Sequence, residues 1–195
     1  GLVIATPTDF FGGFIVSIVP LISSDLSGPL GAIHLPRLWC KLLLSAKGQL
    51  PDDYPECGGG FDQMTLDGLK VDRDAAVAFV KGSLPTYAQF EAWVLEQRGG
   101  NIPAAEIEAS NAAIRGYNHD DDTRGEILSA AGISDDGSCL DAVNLNNLDD
   151  WTTLHDSLAA RLDHLAPVKE VAQLGAAIGR EFGFELLAAV SPMAD

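Results

Sequence analysis

The stretch LDDWTTLHDSLAARLDHL, residues 148–165, carries the clearest helical pattern in the chain. Its large apolar side chains recur at intervals of three and four residues, which places them on one face of an α-helix. These residues are Leu148, Trp151, Leu154, Leu158, Leu162 and Leu165. A helix with one apolar face is stable when that face packs against another element, so the stretch predicts a helical bundle.

Caps and helix breakers mark further helices upstream of this stretch. Pro36 stands where a first-turn proline is tolerated and predicts a helix over residues 34–47. Thr86 and Gln89 have the spacing of a capping box, and a glycine pair at residues 99–100 ends the helix that they open. The other predicted helices cover residues 61–69, 72–81, 103–116 and, from a second capping box at residues 123–126, residues 126–131.

Downstream, Pro167 predicts the start of another helix, Gly179 its end, and residues 181–190 a last helix. Strand patterns are nearly absent after residue 22. The predicted fold is therefore all-α, a compact multi-helix bundle with an extended N-terminal arm and a C-terminal helical pair. The expected divisions are the apolar arm at residues 1–22, a helical domain at 23–158 and a helical appendage at 159–195.

The N-terminal arm contains an apolar run, FFGGFIVSIVPLI, at residues 10–22. No Lys or Arg precedes the run, whereas a secretory signal has a basic region before its apolar segment. Gly12, Gly13 and Pro20 interrupt it, and its thirteen residues are too few to span a bilayer. We therefore expect a short strand or an extended arm rather than a signal or an anchor.

The chain of 195 residues carries a formal charge of −16, from 28 acidic and 12 basic residues. So acidic a surface repels phosphate backbones and anionic lipid heads, which argues against nucleic acid and membranes as partners. Three cysteines without a CxxC pair suit a reducing compartment, with a Cys57–Cys139 disulfide as the alternative. We expect an acidic cytoplasmic protein.

The basic residues His34, Arg37 and Lys41 follow one another at intervals of three and four at the start of the first predicted helix. They therefore share one helix face, where they could clamp an anion. The alternative, salt bridges from this face to a neighbouring helix, is the interpretation we favour.

The string YNHDDD, residues 117–122, brings His119 beside three carboxylates. Carboxylates just before a helix cap it and complement its positive end, and we favour that role over a pocket or a divalent metal. For Asp62, which follows Phe61 and three glycines, capping of a short helix is likewise favoured over a place in a cavity. Trp39, Trp93 and Trp151 are interpreted as core or core-edge residues.

Several chemistries are excluded by the absence of their motifs from the sequence. The chain has no GxxxxGK[ST] phosphate-binding loop, no GxGxxG, no HExxH, no cysteine–histidine zinc spacing and no GxSxG nucleophile elbow. We therefore expect no cofactor and no bound metal.

Most of the chain, from about residue 19 to residue 158, resembles the bacterial family called domain of unknown function 5069. The resemblance rests on the strings VPLISSDLSGPLG, HLPRLWCK, KGQLPDDYPECGGGFDQM, YNHDDDTR and LNNLDDWTTLH, in that order. It implies a small α-helical domain without an assigned reaction. If that domain has a ligand pocket, its residues are expected to be His34, Arg37, Lys41, Asp62, Tyr117 and His119.

The tail, from about residue 153 to residue 193, is similar to the helical arm that follows the nucleotide-binding core in large signalling ATPases linked to nucleotide cyclases. The chain has no such core, so the resemblance brings no ATPase or cyclase activity with it. The apolar residues of the tail need a partner surface, on the bundle or on a second copy of the chain. Self-association through the C-terminal helices is therefore a further expectation.

Three functions remain open on this basis. The first is a binding module for a protein or a small polar ligand, and it is the one we favour. The second is an enzyme that uses His119 and Asp62 with a basic clamp from Arg37 and Lys41. It requires the side chains of His34, Arg37, Asp62 and His119 to converge in one pocket. The third is an interaction module derived from a signalling ATPase.

Overall fold

Seven α-helices and no strand form the part of the chain that the computed structural model describes, residues 17–52 and 54–178. The predicted all-α fold is confirmed. The helices are α1 (Leu35–Ala46), α2 (Phe61–Leu69), α3 (Arg73–Ser83), α4 (Tyr87–Gln97), α5 (Ala104–Arg115), α6 (Asp121–Ala130) and α7 (Ala142–Ile178). None of these helices is long and apolar enough to cross a membrane.

Most helix starts follow from local capping chemistry. The capping box is formed as predicted: the Thr86 side chain accepts from the Gln89 backbone, and the Gln89 side chain accepts from the Thr86 backbone. Asp72 caps α3 by accepting from the Ala75 amide. In each case a side chain satisfies an N–H group that has no partner within the helix.

Helix α6 starts one turn earlier than predicted. The capping box expected at residues 123–126 is wrong, because Asp120 is the cap and accepts from the Thr123 amide at 2.7 Å. Asp121 and Asp122 then occupy the first turn, where their charges complement the helix dipole. The capping role favoured for this acidic run is confirmed at Asp120.

The main core joins helices α1 to α5 through side chains that are almost completely buried. A fully buried aliphatic or aromatic side chain contributes about 1.5–3 kcal/mol, so this cluster provides much of the stability of the fold. Its largest members are Leu35, Leu38, Leu42, Leu66, Leu69, Val80, Phe90 and Val94. A second cluster of Ile33, Phe61, Ile114, Ala142 and Val143 packs the start of α7 with α2 and α5.

Gly68 of α2 packs directly against Ser110 of α5. A Cβ atom on Gly68 would lie 2.3 Å from Oγ and 2.6 Å from Cβ of Ser110. Contacts this short exceed what repacking of one side chain relieves, because the Cβ of Ser110 is fixed to its backbone. Glycine at this position therefore sets the spacing of the two helices.

Substituting Gly68 and Gly125, each of which lies within a helix, should give opposite results. G68A should lower the free energy of unfolding by about 1–3 kcal/mol through overpacking. G125A should raise it by about 0.5–1 kcal/mol, because alanine favours helix and, apart from the chain neighbours and the backbone of α6, no atom of the described residues lies within 4 Å of the added Cβ. Urea denaturation followed by circular dichroism measures both, and the added change S110G should restore part of the loss in G68A.

Helix α7 continues through Pro167, so the separate helix predicted from that residue is wrong. Proline removes one backbone hydrogen bond from a helix interior, but its fixed φ is close to the helical value. The helix also begins at Ala142, six residues before the stripe that predicted it. The helix expected at residues 181–190, and with it most of the surface expected for self-association, lies outside the described residues.

The chain divides into two compact units, one through Trp151 and one from Thr152. In the first unit α7 buries the side chains of Ala142, Val143 and Leu145. Trp151 does not belong to this buried face and is 60% exposed. The core position predicted for Trp151 is therefore wrong, whereas Trp39 and Trp93 pack against the main core as predicted. Of the predicted N-terminal arm, residues 17–22 are described; they lack regular secondary structure, and the Ile18 amide donates to the Gln49 carbonyl at 2.7 Å.

Candidate functional site

A polar cavity of about 270 Å³ opens where α1, α2 and the first turns of α7 meet the loop at residues 54–60. Its volume is just below the range of about 300–1,000 Å³ typical of pockets for drug-sized ligands. The residues that line it are His34, Arg37 and Lys41 from α1 and its cap, Tyr54, Pro55, Gly58 and Gly60 from the loop, Phe61 and Asp62 from α2, and Asn146 and Asp149 from α7.

The three basic residues predicted to share a face all contribute to the wall of this cavity. Each is buried, with 3% of His34, 7% of Arg37 and 7% of Lys41 exposed. The salt bridges favoured for this face are confirmed, because Lys41 pairs with Asp62 and Arg37 with Asp150. The salt bridges and the cavity wall are thus made by the same side chains.

His34 is the N-cap residue of α1 and has a left-handed backbone conformation, with φ 65°. This region costs energy for a residue with a side chain, and it persists only where several contacts fix it. Here the His34 amide donates to the Leu26 carbonyl at 3.1 Å, and its carbonyl accepts from the Leu38 amide at 2.9 Å. The strained backbone turns the imidazole inward, toward α2.

Asp62 is the centre of the hydrogen-bond network and is 3% exposed. Its Oδ1 lies 2.8 Å from Nε2 of His34, and its Oδ2 accepts from Nζ of Lys41 at 2.5 Å and from the Gly58 amide at 2.6 Å. The capping role favoured for Asp62 is wrong: α2 has Gly60 as its N-cap and no side-chain cap. The carboxylate instead connects α1, α2 and the glycine loop, because their donors converge on it.

These contacts determine the protonation states at the site. Burial by itself would raise the pKa of Asp62, but the hydrogen bond from His34 and the charge of Lys41 outweigh it and lower the pKa to about 2. Burial lowers the pKa of His34, and the hydrogen bond to Asp62 offsets this only in part. At neutral pH the carboxylate is therefore ionised and the imidazole is neutral.

The neutral imidazole connects Asp62 to Ser24. Because an ionised carboxylate only accepts, Nε2 of His34 carries the hydrogen, and Nδ1 then accepts from Oγ of Ser24 at 3.0 Å. The order serine–histidine–aspartate resembles a hydrolytic triad. However, Ser24 is 1% exposed and does not line the cavity, so its hydroxyl orients His34 and is not presented to a ligand.

Arg37 makes the second buried charge network of the site. Its guanidinium binds both carboxylate oxygens of Asp150, at 2.5 and 2.9 Å, and also donates to the carbonyls of Pro20 and Ile22. The hydroxyl of Tyr54 donates to Asp150 as well, at 2.8 Å. Arg37 therefore joins the N-terminal segment to α7 behind the cavity wall.

Asp150 is a buried residue beside the cavity that the sequence analysis did not single out. It is 2% exposed, whereas His155 and Asp156, which also lie on α7, are largely exposed. With α7 beginning at Ala142, position 150 lies one heptad after Val143 and so on the buried face. A correct helix start would have revealed this.

Tyr117 and His119 do not line the cavity and instead support its wall. The Tyr117 ring contacts the edges of Phe61 and His119, with ring centroids 5.7 and 5.9 Å apart. Nε2 of His119 lies 2.8 Å from Oδ1 of Asn146, a residue that does line the cavity. Of the four side chains that the enzyme hypothesis needs, His34, Arg37 and Asp62 converge, and His119 stands behind Asn146.

Neither a metal cluster nor a disulfide is present in the part of the chain that the structure describes. Among residues 17–52 and 54–178, no group of three or more His, Cys, Asp or Glu side chains is arranged to hold a metal ion. Cys40, Cys57 and Cys139 are free thiols, so the alternative of a Cys57–Cys139 disulfide is not realised. Burial raises the pKa of the Cys57 thiol and keeps it protonated.

No protein-family model matches this sequence, and no curated protein does. The resemblances to domain of unknown function 5069 and to the arm of signalling ATPases therefore stay predictions, and the site is interpreted from its own geometry.

The buried side chains of Asp62 and His34 should make the free energy of unfolding decrease as the pH is lowered. Asp62 has a lower pKa folded than unfolded, so its contribution is complete above its ordinary value of 3.8 and is lost as the pH falls toward 2. Below pH 6.5 the unfolded chain protonates His34 before the folded chain does, which lowers the stability by up to about 1.4 kcal/mol per pH unit.

Urea denaturation at pH 7, 6, 5 and 4 tests this dependence on His34. H34Q, whose amide can still donate to Asp62, should have a smaller slope of unfolding free energy against pH than the wild type. H155Q is the matched control, because His155 is exposed on α7, and it should keep the slope of the wild type. Equal slopes in H34Q and the wild type would contradict the prediction.

Proposed function

We propose that this chain is a binding module whose polar cavity holds a small polar ligand. The observation that supports this most directly is the placement of two buried ion pairs, Lys41–Asp62 and Arg37–Asp150, in and behind the wall of one cavity, with the neutral His34 hydrogen-bonded to Asp62. Buried ion pairs are costly to desolvate and are often replaceable by apolar residues without loss of stability. The presence of two buried ion pairs beside an open cavity is explained if the cavity binds a polar molecule.

The charge of the cavity differs from that of the chain as a whole. Its lining holds two cations, Arg37 and Lys41, and two carboxylates, Asp62 and Asp149, in a protein whose net charge is −16. A balanced lining provides both donors and acceptors, as a small polar ligand requires. It would be a weak site for a polyanion, because the cations already have carboxylate partners.

Binding fits the contacts better than acid–base catalysis does. A general base needs an available proton acceptor that faces the ligand. Both nitrogens of His34 already have partners, Ser24 and Asp62. The carboxylate of Asp62 accepts from three donors and has a pKa of about 2, so it holds protons weakly. These groups are suited to fixing the shape of a site.

Differential scanning fluorimetry against a panel of small polar metabolites tests the proposal. A compound that binds only the folded chain, at a hundred times its dissociation constant, adds about 2.7 kcal/mol. For a chain of this size that is a rise in melting temperature of roughly 5–11 °C. N146L, which replaces a polar cavity residue, should reduce the shift strongly.

The matched control is K70M, because Lys70 is exposed and pairs with Glu106 away from the cavity. Its ligand shift should equal that of the wild type. A panel in which no compound raises the melting temperature would overturn the proposal. A shift that N146L retains in full would also overturn it, because binding would then lie elsewhere.

A further inference from the structure

The donors and the acceptor that the cavity offers to a ligand come from different parts of its lining. The ammonium of Lys41 carries three N–H donors, and Asp62 accepts one of them. The amide of Asn146 accepts from His119 through Oδ1, so it has two N–H donors for other partners. Asp149 lies on the exposed side of the lining, one helical turn beyond Asn146 on α7, and contributes a carboxylate.

We propose that the ligand is a small zwitterion of the amino-acid type, with its carboxylate on Lys41 and Asn146 and its ammonium on Asp149. This inference rests on the proposed binding function and specifies it. A carboxylate accepts well from an ammonium and an amide, and an ammonium group donates well to a carboxylate. A zwitterion also leaves the net charge of the balanced cavity unchanged, which limits the cost of burying it.

The apolar part of the lining and its volume limit the rest of the ligand. Phe61 and Pro55 provide an apolar surface beside the polar groups. A cavity of about 270 Å³ is small, so it suits a short aliphatic side chain better than an aromatic or a long one. Glycine, alanine and valine are therefore the probes of choice.

A phosphate-type dianion is the competing ligand chemistry, and the structure disfavours it. Phosphate sites use cations whose charge is available to the ligand. Each of the two cations already has a carboxylate partner, Asp150 for Arg37 and Asp62 for Lys41, so the N–H donors left on Lys41 suit a singly charged carboxylate better than a dianion. The additional carboxylate of Asp149 would repel a dianion.

Isothermal titration calorimetry with single-charge analogues tests the inference. Glycine, alanine and valine are titrated first, and N-acetylvaline, which lacks the ammonium, and valinamide, which lacks the carboxylate, follow. We expect at least one of the three amino acids to bind, and both analogues to bind at least tenfold more weakly than valine. Binding of inorganic phosphate in preference to all three would overturn the inference.

Two variants test which residue binds each end of the ligand. D149N should bring the affinity for valine close to that for N-acetylvaline, because the ammonium loses its partner. N146D places a negative charge beside the carboxylate and should weaken valine binding while leaving valinamide binding intact or stronger. D74N, which removes an exposed charge from the first turn of α3, is the control and should bind valine as the wild type does.

The outcomes separate this inference from the function on which it rests. If some small polar compound binds and N146L abolishes its binding, but the amino acids do not bind, the zwitterion is wrong and the binding function stands. Equal affinity for valine and both analogues would have the same meaning. If no compound binds at all, the binding function fails and the zwitterion with it.

Discussion

Replacing Asp62 with alanine is expected to lower the free energy of unfolding by about 3–5 kcal/mol, the usual cost of breaking a buried ion pair from one side. D62A leaves the ammonium of Lys41 charged in a site where only 9% of its side chain is exposed. It also removes the acceptor of the Gly58 amide and of Nε2 of His34. Urea denaturation at pH 7, followed by circular dichroism, measures the loss.

The double variant D62A/K41M identifies the source of this loss. If the uncompensated charge dominates, removing the ammonium as well should recover a substantial part of the stability, because apolar residues often replace a buried pair at little cost. D25A is the control: the Asp25–Arg115 pair is about half exposed, so its loss should cost only about 0–1 kcal/mol. A loss in D62A no larger than that in D25A would show that the buried network does not stabilise the fold.

Replacing Arg37 with methionine is expected to cause a loss of similar size, about 3–5 kcal/mol, for a related reason. R37M removes the cationic partner of Asp150, which is 2% exposed, and leaves the Tyr54 hydroxyl as a remaining donor. It also releases the carbonyls of Pro20 and Ile22, which Arg37 binds. Chemical denaturation measures the loss of stability, and hydrogen exchange at the Ile18 amide reports on the N-terminal segment.

The hydrogen-exchange measurement distinguishes local release of the N-terminal segment from a general loss of stability. In R37M the Ile18 amide should exchange faster than global unfolding alone predicts, because the segment from residue 17 to residue 22 loses its anchor. R37K should not restore protection, since an ammonium cannot make the paired bonds of a guanidinium to Asp150 together with two carbonyl bonds. R115M, which breaks an exposed pair, should leave Ile18 protected. Full protection of Ile18 in R37M would contradict the assignment of Arg37 as the anchor.

The sequence predicted well the features that depend on neighbours along the chain. Spacings of three to four residues predicted three of these features correctly. They are the capping box at Thr86, the helix Phe61–Leu69 and the common face of His34, Arg37 and Lys41. Local hydrogen bonding and helical periodicity determine such features. Where two local signals competed, at Asp120 and Thr123, the carboxylate became the cap.

The sequence interpretation failed where a residue's role depends on a distant partner. No local pattern in the sequence marks Asp150 as buried, and its pairing with Arg37 spans 113 positions. No sequence motif marks Ser24 or Asn146. Ser24 belongs to the site because it contacts His34, and Asn146 contacts His119. For Asp62 the sequence allowed two interpretations, a helix cap and a place in a cavity. The choice depends on its distance from Lys41, which the sequence does not give.

The amino-acid sequence alone therefore determined that this protein is helical, where most of its helices begin, and which side of α1 is basic, because backbone capping and side-chain periodicity act over a few residues. Tertiary structure alone decided that this basic side forms one wall of a cavity and that Asp62 and Asp150 neutralise it. The reason is physical: burial and ion pairing depend on distances between elements, and those distances are fixed only when the helices pack around a common core.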